Sequence, residues 1–180
     1  MGEPIHLEPV SQRHAPEVQK LVTSHPDIVG FTRMPDPYPD DGAATWIAKV
    51  LPQHEAGEMH IFAIALESGQ LVGMIGLIGE SERGAEMGYW IGGPFWNQGY
   101  ATEATRQLLE IAFGKLRLER VFATPLERNV ASQRVLQKNG FEVARTYPNT
   151  EEKWDPTDTF MEYALTRDEW AGAGTRAEGS

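Results

Sequence analysis

The segment with the most chemical content runs Phe95-Trp96-Asn97-Gln98-Gly99-Tyr100-Ala101-Thr102-Glu103-Ala104, between the end of an apolar run and the start of a helical pattern. Consecutive backbone N–H groups at a helix N-terminus, backed by the positive end of the helix dipole, form a binding site for a pyrophosphate. Gly99 lets the backbone approach the phosphates, and Ala101 keeps the first turn thin. An ordinary strand-turn-helix connection carries the same single glycine, so the loop alone does not decide. A second pair, Asn129 and Ser132, is spaced by three at another helix start and therefore shares a face. Asn129 suits the N-cap, where its side chain accepts from unsatisfied N–H groups.

Other chemistries fit poorly. The 180-residue chain has no cysteine, which removes disulfides, thiolate metal sites and a cysteine-bound acyl intermediate. Any acyl transfer must therefore be direct or use another nucleophile. No G-x-S-x-G elbow is present, and His6, His14, His25, His54 and His60 have no ligand spacing, so no metal is expected. Gly73, Gly76 and Gly79 fall inside a strand pattern and not in a dinucleotide turn. The formal net charge of −10 opposes nucleic acid and would attract cations such as polyamines, aminoglycosides or basic peptides. The same charge also serves solubility. With no leader pattern and no apolar run of membrane-spanning length, the expectation is a soluble cytoplasmic protein without a membrane partner.

These residues need elements to position them. Ile5 to Val10 reads as a strand, and Pro16 suits the first turn of the helix that follows. His25 to Asp41 is rich in proline and reads mostly as loop, until Asp41 caps a helix with the stripe Ala44, Ile47, Ala48, Leu51. Ile61–Leu66 and Leu71–Ile78 are apolar runs joined by Glu67-Ser68-Gly69-Gln70, a hairpin signal. Ala85–Ile91 adds a third strand, stopped by Gly92-Gly93-Pro94. A helix from Ala101 with Gly114 as its stop, a strand Arg120–Thr124, a helix Val130–Lys138, and strands Phe141–Arg145 and Thr159–Leu165 complete the layout β-α-α-β-β-β-α-β-α-β-β. One α/β domain with a mixed sheet spans residues 1–170, and the tail 171–180 is expected to be disordered.

The stretch Ala85-Glu86-Met87-Gly88-Tyr89-Trp90-Ile91, the loop Phe95–Ala104, then Asn129-Val130-Ala131-Ser132 and Asn139-Gly140-Phe141, in that order, resemble the GNAT superfamily of N-acetyltransferases. Within it they resemble the RimJ/RimL branch, the ribosomal-protein-alanine N-acetyltransferases. That branch reads E-x-G-Y-W-(I/L), then (Y/F)-W-G-x-G-Y-A-T-E-A, then N-x-x-S, then G-F. The resemblance covers about Ile5 to Trp170. Two positions depart from it. Asn97 stands where the branch often has glycine, and asparagine tolerates a left-handed backbone. Leu136 stands where many relatives carry a tyrosine proposed to protonate the leaving thiolate.

The resemblance implies a GNAT fold of about seven strands, flanked by helices, in which the Ala85–Ile91 strand splays from Arg120–Thr124 to admit acetyl-coenzyme A as co-substrate. It implies that the backbone of Trp90, Ile91 and Gly92 holds the pantetheine arm and polarises the thioester, while Trp96, Asn97, Gln98, Gly99, Tyr100, Ala101 and Thr102 wrap the pyrophosphate. Asn129 would touch the arm, and Ser132 would lie near the sulfur. An attacking ammonium with a pKa of about 10 must lose a proton, and Glu86 is the first candidate base, with Glu151 and Glu152 behind it. Glu86 reads equally well as a surface carboxylate. The acceptor would be a primary amine, a protein N-terminus or a small cation, entering between loops 25–41 and 147–158, where Tyr38 and Trp154 offer stacking surfaces. A homodimer is left open. The competing expectation is a non-catalytic GNAT-fold sensor of coenzyme A or a cationic metabolite.

Overall fold

The computed structural model describes residues 2–178, with side chains as far as residue 174. Strand β1 (Ile5–Pro9) leads to α1 (Ala15–Val22), α2 (Pro26–Gly30) and α3 (Gly42–Glu55), followed by the meander β2 (His60–Leu66), β3 (Leu71–Ser81) and β4 (Gly84–Ile91). Helix α4 (Tyr100–Leu109) is followed by β5 (Arg120–Ala123), α5 (Val130–Lys138), β6 (Glu142–Pro148), β7 (Thr159–Thr166) and α6 (Arg167–Glu178). The strands form one seven-stranded sheet in the order β1-β2-β3-β4-β5-β7-β6. Every pairing is antiparallel except β4 with β5.

Helices cover both faces of the sheet. Ile75, Leu77, Met87 and Ile91 pack under α4 and α5 with Leu108, Phe113 and Leu136. Ile61, Ala63, Met74 and Trp90 pack under α1 to α3 with Val18, Val22 and Ile47. This two-sided cover explains why β3 is buried from Leu71 to Leu77 without alternation.

Three expectations change. The loop after His25 contains α2, started by Pro26 and capped by the His25 ring, whose Nδ1 accepts the Asp27 N–H at 3.1 Å. Helix α4 does not stop at Gly114. It continues as a π-helical turn, Glu110–Lys115, because Ala112 and Phe113 are drawn fully into the core, and Arg117 takes the left-handed backbone at φ +58°. The tail expected to be disordered from 171 is helical in α6 as far as Glu178, and Gly179 and Ser180 lie outside the described residues. Thr166 and Glu169 start α6 with a reciprocal pair of hydrogen bonds, at 2.8 and 3.2 Å, and Trp170 packs on Phe113 with ring centroids 5.5 Å apart.

Candidate active site

The parallel pairing of β4 with β5 is confined to Ala85 with Val121 and Glu86 with Phe122, whereas β4 stays paired with β3 as far as Ile91. Pro125 gives the physical reason, since it has no N–H to offer a ladder. Its carbonyl instead accepts from Met161 N–H at 2.9 Å and Leu126 bridges Phe160, so the chain leaving β5 follows β7 and peels away from β4. The sheet is open at its centre from Met87 onward.

Strand alternation decides which β4 groups face that opening. Gly92 donates its N–H to Val72 O at 2.8 Å and its carbonyl accepts from Phe95 N–H at 2.9 Å, so both groups are already taken. Two residues back along the same register, the backbone groups of Trp90 also point to β3, towards its partner Met74. Of the three residues expected to hold an extended ligand arm, only Ile91 presents its backbone to the opening, and Tyr89 does so as well. The Ile91 carbonyl accepts the Trp96 indole N–H at 2.7 Å.

The loop after β4 has the form of an anion cradle. Asn97 and Gly99 adopt left-handed backbone, at φ +61° and +85°. Gly99 is the N-cap of α4 and has no side chain to satisfy the first turn. The first intrahelical bond is Glu103 N–H to Gly99 O at 3.1 Å, which leaves the N–H groups of Tyr100, Ala101 and Thr102 without an intrahelical acceptor. Neighbouring side chains fix the loop. Trp96 stacks on His25 with centroids 4.4 Å apart, Gly93 N–H bonds Ser24 Oγ at 3.0 Å, and Tyr100 is buried against Phe95. Gln98 turns its amide onto the Pro94 carbonyl at 3.2 Å, and Thr102 O accepts from Asn139 Nδ2 at 3.2 Å, tying α4 to the end of α5.

Glu86 and Ser132 approach the opening from opposite sides of the sheet. Glu86 shares the face of its register partner Phe122, accepts from Thr124 Oγ1 at 3.3 Å and lies 3.6 Å from Arg33 Nη1. Ser132 sits on the α5 side, where its N–H bonds Asn129 Oδ1 at 3.3 Å and its hydroxyl accepts from Tyr89 at 3.1 Å. Asn129 therefore performs the capping role its type and position suggest. Leu136 is fully buried in the core, away from any role at the opening.

On the Glu86 side the two loops expected to line an acceptor entrance are stapled together. Arg33 binds Glu151 through two nitrogens, at 2.8 and 3.1 Å, Trp154 Nε1 donates to Gly30 O at 2.7 Å, and Lys153 Nζ caps the carbonyls of Val29, Thr32 and Met34. Trp154 is not a free stacking surface. It is buried, packed against Phe160, with the Arg33 guanidinium 5.8 Å from its ring centroid. Tyr38 is likewise half-buried, against Gly42, and burial raises its pKa. Glu151 is paired with Arg33, and Asp158 with Arg128 at 2.9 Å, whereas Asp36, Asp40, Asp41, Glu152 and Asp155 have no ion pair among the described residues. Arg33, Thr124 and Tyr89 were not foreseen as site residues. Tyr89 lies inside the recognised motif, but Arg33 carries no local signal, since its partner Glu151 is 118 residues away. Among the described residues, no group of three or more His, Asp or Glu is arranged to hold a metal ion.

The chain is similar to known proteins in family and in fold. The family model described as an acetyltransferase (GNAT) domain matches residues 5–142. The Bacillus subtilis (strain 168) protein named Probable N-acetyltransferase YjcK is 30% identical over 147 residues, covering 78% of this chain and 81% of the relative. The structure of the ribosomal alpha-N-protein acetyltransferase RimL in complex with coenzyme A superposes with a TM-score of 0.83 at 18% identity, covering 93% of this chain and 97% of that one. A chimera of the spermidine N-acetyltransferase SpeG from Vibrio cholerae and hSSAT superposes with a TM-score of 0.79 at 12% identity, over 93% and 98% of the two chains. At such identities the superpositions speak to the fold, and the fold is shared by enzymes named for a protein acceptor and for a polyamine.

Proposed function

Because the chain belongs to the GNAT family of acetyltransferases, we propose that it moves an acetyl group from acetyl-coenzyme A to a primary amine by direct attack in a ternary complex. The observation that carries this reading is the opening between β4 and β5, with a carboxylate on one face and a hydroxyl on the other. Coenzyme A would enter from the α4 side, its pyrophosphate on the N–H groups of Tyr100 to Thr102 and its pantetheine arm along Tyr89 and Ile91. The amine would enter from the Glu86 side, between loops 25–41 and 147–158. Glu86 or a water held by it first takes a proton from the ammonium, the freed nitrogen lone pair attacks the thioester carbon, the C–S electron pair leaves with sulfur, and the second nitrogen proton passes to the same base or to solvent as the amide forms. An N–H aimed at the developing oxyanion contributes on the order of 3 kcal/mol, and the Ile91 N–H, which faces the opening, would supply one. With no cysteine in the chain, a thiolate cannot carry the acetyl group between substrates, which favours direct transfer.

For the acceptor, the reading is a cationic amine, either a small one or a protein N-terminus. Asp36, Asp40 and Asp41 in one loop and Glu152 and Asp155 in the other form no ion pair among the described residues, and although Lys153 lies in the field of Asp36 and Arg128 in that of Asp155, the carboxylates of the two loops outnumber their cations. The reaction suits the cytoplasmic setting expected from the sequence; no helix among the described residues is long and apolar enough to cross a membrane. An acceptor screen with acetyl-coenzyme A, each product read by its mass increment, tests the assignment. Polyamines, aminoglycosides or basic peptide N-termini should gain one acetyl group. A preference for an acidic amino acid would overturn the cationic acceptor, and a longer acyl donor used better than acetyl would revise the donor.

A further inference from the structure

Tyr89 lies on the opened stretch of β4, and its ring packs against the core on the α4–α5 side. Its hydroxyl donates to Ser132 Oγ at 3.1 Å, while the backbone N–H of Ser132 is held by Asn129 Oδ1 at 3.3 Å. A serine hydroxyl has one proton to give and two lone pairs to receive. With a lone pair occupied by the phenol and its backbone fixed by the cap, Ser132 is left with its own O–H directed away from Tyr89. Burial pushes the Tyr89 phenol up to about 12, so Tyr89 keeps the proton it donates at any pH below about 10.

We infer that Tyr89 is a positioning residue for thiolate departure: by donating to Ser132 it aims the serine O–H at the leaving sulfur and strengthens it as a donor. The inference rests on the reading of Ser132 as the group at the sulfur. In the step, the N–C bond forms, the C–S bond breaks and its electron pair stays on sulfur. The nitrogen sheds two protons, one before attack and one as the amide forms, both through Glu86 or water. The thiolate is stabilised by the Ser132 hydrogen bond and equilibrates with solvent after release. No proton has to leave Tyr89, which a phenol held well above the ionisation range of a thiol near 8.5 would resist. Cooperative polarisation along the Tyr89–Ser132–sulfur chain makes the pair worth more than Ser132 alone.

The test uses coenzyme A itself as the probe, with no acceptor present, by titrating the bound thiol through its thiolate absorbance. In the native protein the bound thiol should ionise about one unit below free coenzyme A, the size of one hydrogen bond to a charged sulfur. Tyr89→Phe, which removes only the hydroxyl, should move that value about half a unit back toward free coenzyme A. Ser132→Ala and the Tyr89→Phe/Ser132→Ala double variant should titrate together, and Ser132→Thr, with its hydroxyl kept, should stay near the native value. In turnover, Tyr89→Phe should lose about three- to tenfold in kcat with KM for acetyl-coenzyme A unchanged. A native-like thiol titration in Tyr89→Phe, or a double variant shifted beyond Ser132→Ala, overturns the inference. Because the titration involves no amine, these results stand apart from any failure of acetyl transfer.

Discussion

Glu86 is held between the Thr124 hydroxyl and the Arg33 guanidinium, which fixes its side chain at the edge of the opening. Replacing it by Gln should lower kcat most at neutral pH and restore much of it at alkaline pH, where the amine needs no base. A pH–rate profile checks this, and native turnover at every pH would move proton removal to Glu152 or water. That Glu86 lies on β4, Gly99 at the start of α4, and Asn129 with Ser132 at the start of α5 was legible in the sequence, because strand and helix periodicity and cap chemistry are local signals. Trp90 and Gly92, expected at the pantetheine arm, turn their backbone groups to β3, and the reason is geometric. Which edge a strand N–H faces depends on register with β3, and the bond from Gly92 to Val72 fixes that register without leaving a mark in the local sequence. Arg33 stayed hidden for a related reason, as its role comes from a loop far along the chain.

At the scale of elements, the turn from β4 into α4 depends on left-handed backbone at Gly99. A side chain there meets no neighbour, so the cost of substitution is conformational. Gly99→Val should destabilise the fold by about 1–2 kcal/mol and abolish the rise in melting temperature that acetyl-coenzyme A gives the native protein. Thermal denaturation with acetyl-coenzyme A, and with NAD as the control that should give no rise, measures both effects. Across the other half of the sheet, buried Glu162 on β7 binds Arg120 of β5 at 3.0 Å and Arg145 of β6 at 2.9 Å, with Arg83 of the β3–β4 turn at 3.5 Å. Glu162→Gln leaves these arginines short of a counter-ion. Since all three are partly solvated, the loss should be about 1–3 kcal/mol in chemical denaturation. The strand meander, the start of α4 and the whole of α5 were read correctly because their periodicity is local. Helix α2 was missed because proline can open a helix as well as break one, and α6 because its Thr166–Glu169 capping pair lies at a strand end, where glycine-rich sequence beyond it looked like a tail.

The whole molecule carries a net charge of −10 and has to bind an anionic co-substrate against it. The N–H groups opening α4 meet that need on one side of the sheet, while unpaired carboxylates border the other side. A long-range field of this kind is screened as the Debye length falls from about 10 Å at 0.1 M to about 3 Å at 1 M salt. The KM for a cationic acceptor should therefore rise with salt while kcat changes little, and steady-state kinetics across a salt series would show it. The mixed sheet of about seven strands followed from the family resemblance, whereas the pairing of Glu151 and Asp158 with arginines, which reduces the free negative charge, emerged only in three dimensions. The central claim, direct transfer through the opening between β4 and β5, is tested most directly by initial rates of thiol release from acetyl-coenzyme A with amine and donor both varied. Direct transfer gives release that depends on the amine, with double-reciprocal lines that intersect. Release that ignores the amine, or parallel lines signalling an acetylated enzyme, would contradict it.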